Sequence, residues 1–154
     1  MEDCTLFTCA DFWKDVKRLS KHIKSSLLEV ELTPIEYEQL SIVEKISAVP
    51  ILRQISTTIK NKISKLNELP NNDKNGQQPF LSDNWILWKM RWAVDNRGSS
   101  YGLRIIYSVN GKYLVFAAIK HKKEIKDNES GFQKEVIERL RVFFDCHKKA
   151  KNNI

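Results

Sequence analysis

Apolar residues run at helical spacing through the first half of this chain, alternate one-for-one after Trp85, and return to helical spacing from Phe132 onward. Thr5-Leu6-Phe7-Thr8-Cys9 is a short β-prone run leading into Phe12, Val16, Leu19 and Ile23, with Lys14, Lys17, Arg18 and Lys21 mostly on the other faces. This spacing predicts a strand followed by an amphipathic helix. Thr33-Pro34-Ile35-Glu36 places an N-cap hydroxyl, a proline at the first helical position and a glutamate at the third, so a helix should start there and run to about Ser47. Pro50 interrupts it. Ile51, Leu52, Ile55, Ile59, Ile63 and Leu66 then predict a further helix ending near Leu69-Pro70. Residues 71–78 have nothing to bury and are expected to form an exposed mobile loop.

In the second half, Ile86, Trp88, Met90, Trp92 and Val94 alternate with Leu87, Lys89, Arg91 and Ala93. A strand here buries one apolar face and raises Lys89 and Arg91 together on the other. Arg97-Gly98-Ser99-Ser100 reads as a turn. Leu103 to Val109 and Tyr113 to Lys120 are rich in β-branched and aromatic residues, and Asn110-Gly111 between them is a strong hairpin signal. Ser130-Gly131-Phe132-Gln133 resembles a capping box, opening a helix whose stripe is Phe132, Val136, Ile137, Leu140, Phe143 and Phe144. The expected fold is α+β: a small twisted antiparallel sheet packed against N-terminal helices and a C-terminal helix, in one domain over 1–154, with its cationic face open.

Composition narrows the class and charge narrows the site. With 154 residues, 42% apolar and 29% charged, the chain has the makeup of a soluble globular protein. No apolar run is long enough to span a bilayer, and Met1-Glu2-Asp3-Cys4 lacks the basic start of a secretion signal, so the expected location is the cytoplasm. Cys4, Cys9 and Cys146 are odd in number and without paired metal spacing. Neither a disulfide framework nor a metal site is expected, and no cofactor. The net charge of +7 resides in one place: from Trp85 to Lys123 eight basic residues face the single acid Asp95, and the rest of the chain is balanced. An anionic partner bound at that segment follows, against the ordinary alternative of a solvated basic sheet face. Lys148, Lys149 and Lys151 read as a solvated helix end favoured by the macrodipole.

Three stretches of the basic segment carry a family resemblance. Lys89-Met90-Arg91-Trp92, then Arg97 to Tyr107 with its Gly102-Leu103-Arg104-Ile105-Ile106-Tyr107, then Lys122-Lys123-Glu124 with Asp127-Asn128, resemble the toxins of bacterial toxin-antitoxin operons, the RelE/ParE superfamily. Those proteins have a K-x-R strand, a Gly/Ser-rich turn into a G-x-R-x-x-Y strand, and a last strand ending in basic residues. Their early helix is echoed by Phe12-Trp13-Lys14-Asp15-Val16-Lys17-Arg18-Leu19. The likeness covers residues 5–24 and 86–145, about half the chain; the helical insertion and loop at about 36–84 are longer than the family usually has. It implies an mRNA endonuclease that needs no metal, often works on the ribosome, and is held inactive by a cognate antitoxin. The gyrase-poisoning ParE branch shares the fold and lacks the catalytic basic set. An RNA-binding accessory domain or a degenerate toxin is a third reading.

The chemistry of the residues is compatible with the nuclease. RNA carries its own nucleophile in the 2′-hydroxyl. Cleavage then needs a group to take that proton, cations to hold the pentacoordinate phosphate, and an acid for the leaving 5′-oxygen. Lys89, Arg91, Arg104, His121 and Lys123 are the candidate catalytic set; Arg97, Lys120, Lys122 and Lys126 are candidate RNA contacts. Arg104 suits phosphate stabilisation because a guanidinium offers a planar fork and keeps its charge. His121, with an unperturbed pKa of about 6.5, and Lys89, crowded by arginines, both suit proton transfer. Tyr107 shares strand parity with Leu103 and Ile105, which favours the core over chemistry.

Overall fold

The computed structural model describes residues 5–64, 86–94, 102–110 and 113–152. Strand β1 (Thr5–Thr8) leads into helix α1 (Phe12–Arg18) and two 3-10 turns, Leu19–Lys21 and Ser25–Leu27. Helices α2 (Pro34–Glu38), α3 (Ile42–Ala48) and α4 (Pro50–Ser64) follow, then strands β2 (Ile86–Trp92), β3 (Leu103–Asn110) and β4 (Tyr113–His121). The short helix α5 (Lys122–Ile125) and the long α6 (Glu129–Asn152) close the chain. The fold is α+β, as expected. The sheet order is β1-β4-β3-β2; β2, β3 and β4 are antiparallel, while β1 joins β4 in parallel, so the sheet is mixed. The expected turn at 97–100, the loop at 71–78 and the end of the helix near Pro70 lie outside the described residues.

Local chemistry explains where the elements break. The single helix expected from Thr33 to Ser47 is two, because Ser41 and Glu44 form a second capping box, with Glu44 N–H donating to Ser41 Oγ at 3.2 Å. The Thr33 and Glu36 box upstream forms as expected. Helix α6 starts two residues earlier than its Ser130 box suggested: Asn128 Oδ1 accepts from Gly131 N–H at 3.1 Å and is the working cap. Strands β3 and β4 pair as the antiparallel neighbours that Asn110-Gly111 suggested, but Asn110 is still in β3, opposite Tyr113, rather than between the strands. Gly102 is required by a close approach, since a Cβ there would fall on the carbonyl oxygen of Trp92.

Apolar clusters lie on both faces of the sheet. On one, Trp88, Met90, Leu103, Ile105, Tyr107, Leu114, Phe116 and Ile119 meet α1, the 3-10 turn that follows it, α3 and α4 through Phe12, Leu19, Ile46, Ile55 and Ile59. On the other, Leu87, Ile106, Val115 and Ala118 cluster with Phe132, Val136 and Leu140 of α6. A bulge falls between Ile106 and Tyr107 on the β3–β4 ladder: Ile106 opposes Ala118 while Tyr107 opposes Phe116, leaving Ala117 as the extra residue. It puts Phe116 and Ile119 in one core although they are three apart, a spacing that strict alternation does not allow. The expectation of an open cationic face is therefore corrected. That face has its own apolar cluster and α6 packs against β4 over it.

Candidate nucleic-acid interface

Alternation on β2 does what its sequence promised. Trp88 and Met90 are buried and Trp92 half-buried on the helical side, while Lys89, half-buried, and Arg91, exposed, stand on the opposite side. Register then assembles a row: Arg91 of β2 lies opposite Arg104 of β3, and Arg104 opposite Lys120 of β4. Lys89 sits two residues along the same strand face. Like charges directly opposite on neighbouring strands are destabilising. Arg104 is only 3% exposed, and burial first, then Arg91, lowers its pKa, while Glu129 acts in the other direction. Its Nη1 donates to the Leu103 carbonyl at 3.3 Å.

Two of the expected members leave the row. Lys120 was expected to contact RNA; its ammonium turns inward to Glu135 at 3.3 Å and Asp15 at 3.9 Å, with its side chain 12% exposed. His121 was expected to transfer a proton at an accessible strand end. It is 1% exposed, its ring stacks on His22 at 5.0 Å, and its Nδ1 accepts the Lys123 N–H at 3.1 Å to cap α5. Glu124 answers by accepting the His121 N–H at 2.9 Å. An imidazole nitrogen engaged as a helix cap has its lone pair occupied, so Nδ1 is not available as a base while it caps α5. Lys122 pairs with Glu129 at 3.3 Å on the surface, and Lys123 and Lys126 are exposed around the α5 turn, Lys126 with φ 54°. Arg97 lies outside the described residues.

One ionic cluster escaped the sequence reading. Asp15 of α1, fully buried, receives Arg139 of α6 through Nη1 at 2.6 Å and Nη2 at 3.0 Å. Arg139 also donates to the Ala117 carbonyl at 3.0 Å and to Glu135 at 2.9 Å, and Asp15 accepts the Ile119 N–H at 3.2 Å. Pairing of β1 with β4 ends at Thr8 and Phe116, so the Asp15–Arg139 pair takes over the β4 edge where a strand is missing. Burial disfavours the guanidinium, and the bonds and charges of Asp15 and Glu135 more than offset it, raising its pKa. The available signal was two opposite charges lodged in apolar stripes: Asp15 among Phe12, Val16 and Leu19, and Arg139 beside Val136 and Leu140.

Among the described residues no group of His, Cys, Asp and Glu could hold a metal ion, and no helix is long and apolar enough to cross a membrane. Fold and site together define an α+β domain with an arginine pair set across two strands of its sheet. Comparison with protein-family models, curated proteins and solved structures gave no match to this chain.

Proposed function

We propose that the protein is a metal-independent mRNA endonuclease toxin of the RelE kind, working on the ribosome in the cytoplasm and neutralised by a cognate antitoxin. The observation that carries this is the register of Arg91 opposite Arg104, with Lys89 on the same strand face. Two guanidiniums held against their mutual repulsion favour an anion between or above them, and a phosphodiester is one. Exposed Arg91 holds the phosphate, and Arg104, buried beneath the same sheet face, adds positive field that stabilises its pentacoordinate state. Lys89 is the remaining proton-transfer group of the row, taking the proton of the 2′-hydroxyl. Exposed Lys123 and Lys126 extend the positive surface for the RNA chain.

A second reading has one observation in its favour. With His121 committed to the α5 cap, the row contains no imidazole, which suits a toxin that binds without cutting, such as a gyrase poison, or an RNA-binding accessory domain. The experiment that separates them is cleavage on programmed ribosomes with and without EDTA, scored for 2′,3′-cyclic phosphate ends. Ribosome-dependent cuts that persist in EDTA support the nuclease. Intact message together with inhibited DNA supercoiling transfers the assignment to the poison.

A further inference from the structure

Away from the arginine pair, the N-terminal helices line a half-open cavity of about 360 Å³ between α1, the segment before α2, and α2 and α3. Small-molecule sites typically measure ~300–1,000 Å³. Two aromatic side chains form a corner of it: the Trp13 and Tyr37 rings lie 6.5 Å apart with their planes at 80°. Trp13 is held in place by its Nε1–H, which donates to Thr8 Oγ1 at 3.1 Å. Val16, Leu28 and Val30 complete an apolar interior.

The charges on the lining decide what fits. Three ionic side chains reach it: Lys17, Lys45 and Glu38. Lys45 and Glu38 pair with each other at 3.4 Å, and the Lys45 ammonium also lies over the Tyr37 ring. Lys17 is exposed and has no ion partner among the described residues. The lining therefore carries one net positive charge, on the α1 wall, where Arg18, Lys21 and Lys24 add to the field. The acids of the facing segment, Glu29, Glu31, Glu36 and Glu44, turn an anionic group towards that wall and away from their own.

We propose that this cavity binds a small monoanion with a flat apolar body, the ring lying in the corner between Trp13 and Tyr37 and the acid group against the Lys17 ammonium. An aromatic carboxylate is the class of ligand this describes. None of these residues takes part in the proposed RNA chemistry.

Isothermal titration of the full chain with three probes of one shape tests it: 2-naphthoate, neutral 2-naphthamide and 2-naphthylmethylammonium. Saturable one-to-one binding of the carboxylate is expected, about tenfold tighter than the amide, which is ~1.4 kcal/mol. The ammonium should bind weakest. Lys17→Glu, at an exposed position, should weaken the carboxylate about tenfold or more, strengthen the ammonium and leave the amide unchanged. Val30→Trp should fill the space and abolish binding of all three, with the urea midpoint checked alongside; if that variant does not fold, Lys17→Glu alone decides. No saturable binding at millimolar probe, a preference for the ammonium in the wild type, or a carboxylate affinity indifferent to Lys17→Glu overturns the proposal.

Discussion

Two charged groupings lie on either side of Lys120, and they differ in how their charges are balanced. At one end, Asp15, Arg139, Glu135 and Lys120 alternate in sign and pair with one another and with the β4 backbone, leaving only the Arg139 Nε of the guanidinium without a partner among the described residues. At the other, Arg91 and Arg104 oppose each other on neighbouring strands. The first arrangement stabilises the molecule by completing a strand edge. The second sets two like charges opposite each other, with burial and Arg91 acting against the Arg104 charge and Glu129 acting for it. A basic segment is thus not a single surface: Lys120 belongs to the architecture and Arg91 to the surface, although both were equally cationic in the sequence.

The comparison breaks most violently at Asp15. Asp15→Ala leaves Arg139 buried without its bidentate partner and uncaps the Ile119 N–H, so urea unfolding should show a loss of about 3–5 kcal/mol. A loss below about 1 kcal/mol would mean that water replaces the carboxylate and the edge is not closed by this pair. At the arginine pair the large effect is on chemistry. Arg91→Gln or Arg104→Gln should lower ribosome-dependent cleavage about ten- to a thousandfold, the range for removing one transition-state stabiliser, measured in single-turnover assays. Lys123→Gln and Lys126→Gln should act on binding instead. Each lost phosphate contact should flatten the log–log salt dependence of single-stranded RNA affinity by about 0.7.

Arg91→Gln sharpens the contrast further, because it relieves repulsion across the β2–β3 pair. Its stability should rise by about 0.2–1 kcal/mol in low salt while activity falls. Equal or lower stability would remove the case that the apposition is held for function. The smallest effect belongs to the capping boxes. Hydrogen bonds from Thr33 and Ser41 hold the Glu36 and Glu44 carboxyls below their ordinary pKa of 4.5. A depressed folded pKa contributes stability above the unfolded value that is lost as pH falls through the folded one. Amide and Cα chemical shifts of residues 34–48 should therefore stay helical above pH 4.5 and lose helicity below it.

What the sequence made legible was periodicity, and what it hid was pairing. Alternation at Trp88, Lys89, Met90 and Arg91 was read correctly because each side chain's face depends only on its own strand. The stripe of α6 was visible for the same reason. The Ser41 box was present in the letters but was overrun by helical spacing that continues through Ile42 and Ile46, since a three-residue break is close to one helical turn. The bulge at Ala117 was hidden because it is a property of two strands together. His121 was a candidate for proton transfer because an imidazole titrates near neutrality; its own partners, His22 and the Lys123 amide, come from chain geometry. Asp15 read as one polar residue among several on α1, and its guanidinium partner stands 124 residues away.

That separation bears on how the molecule is made. Synthesis delivers β1, α1 and the antiparallel strands before Arg139, so β4 first forms with part of its edge uncovered and Asp15 lacking its counter-ion. Closing the edge requires the last helix to reach back to the first. A chain lacking residue 139 would therefore keep part of the β4 edge unpaired, open to aggregation and proteolysis.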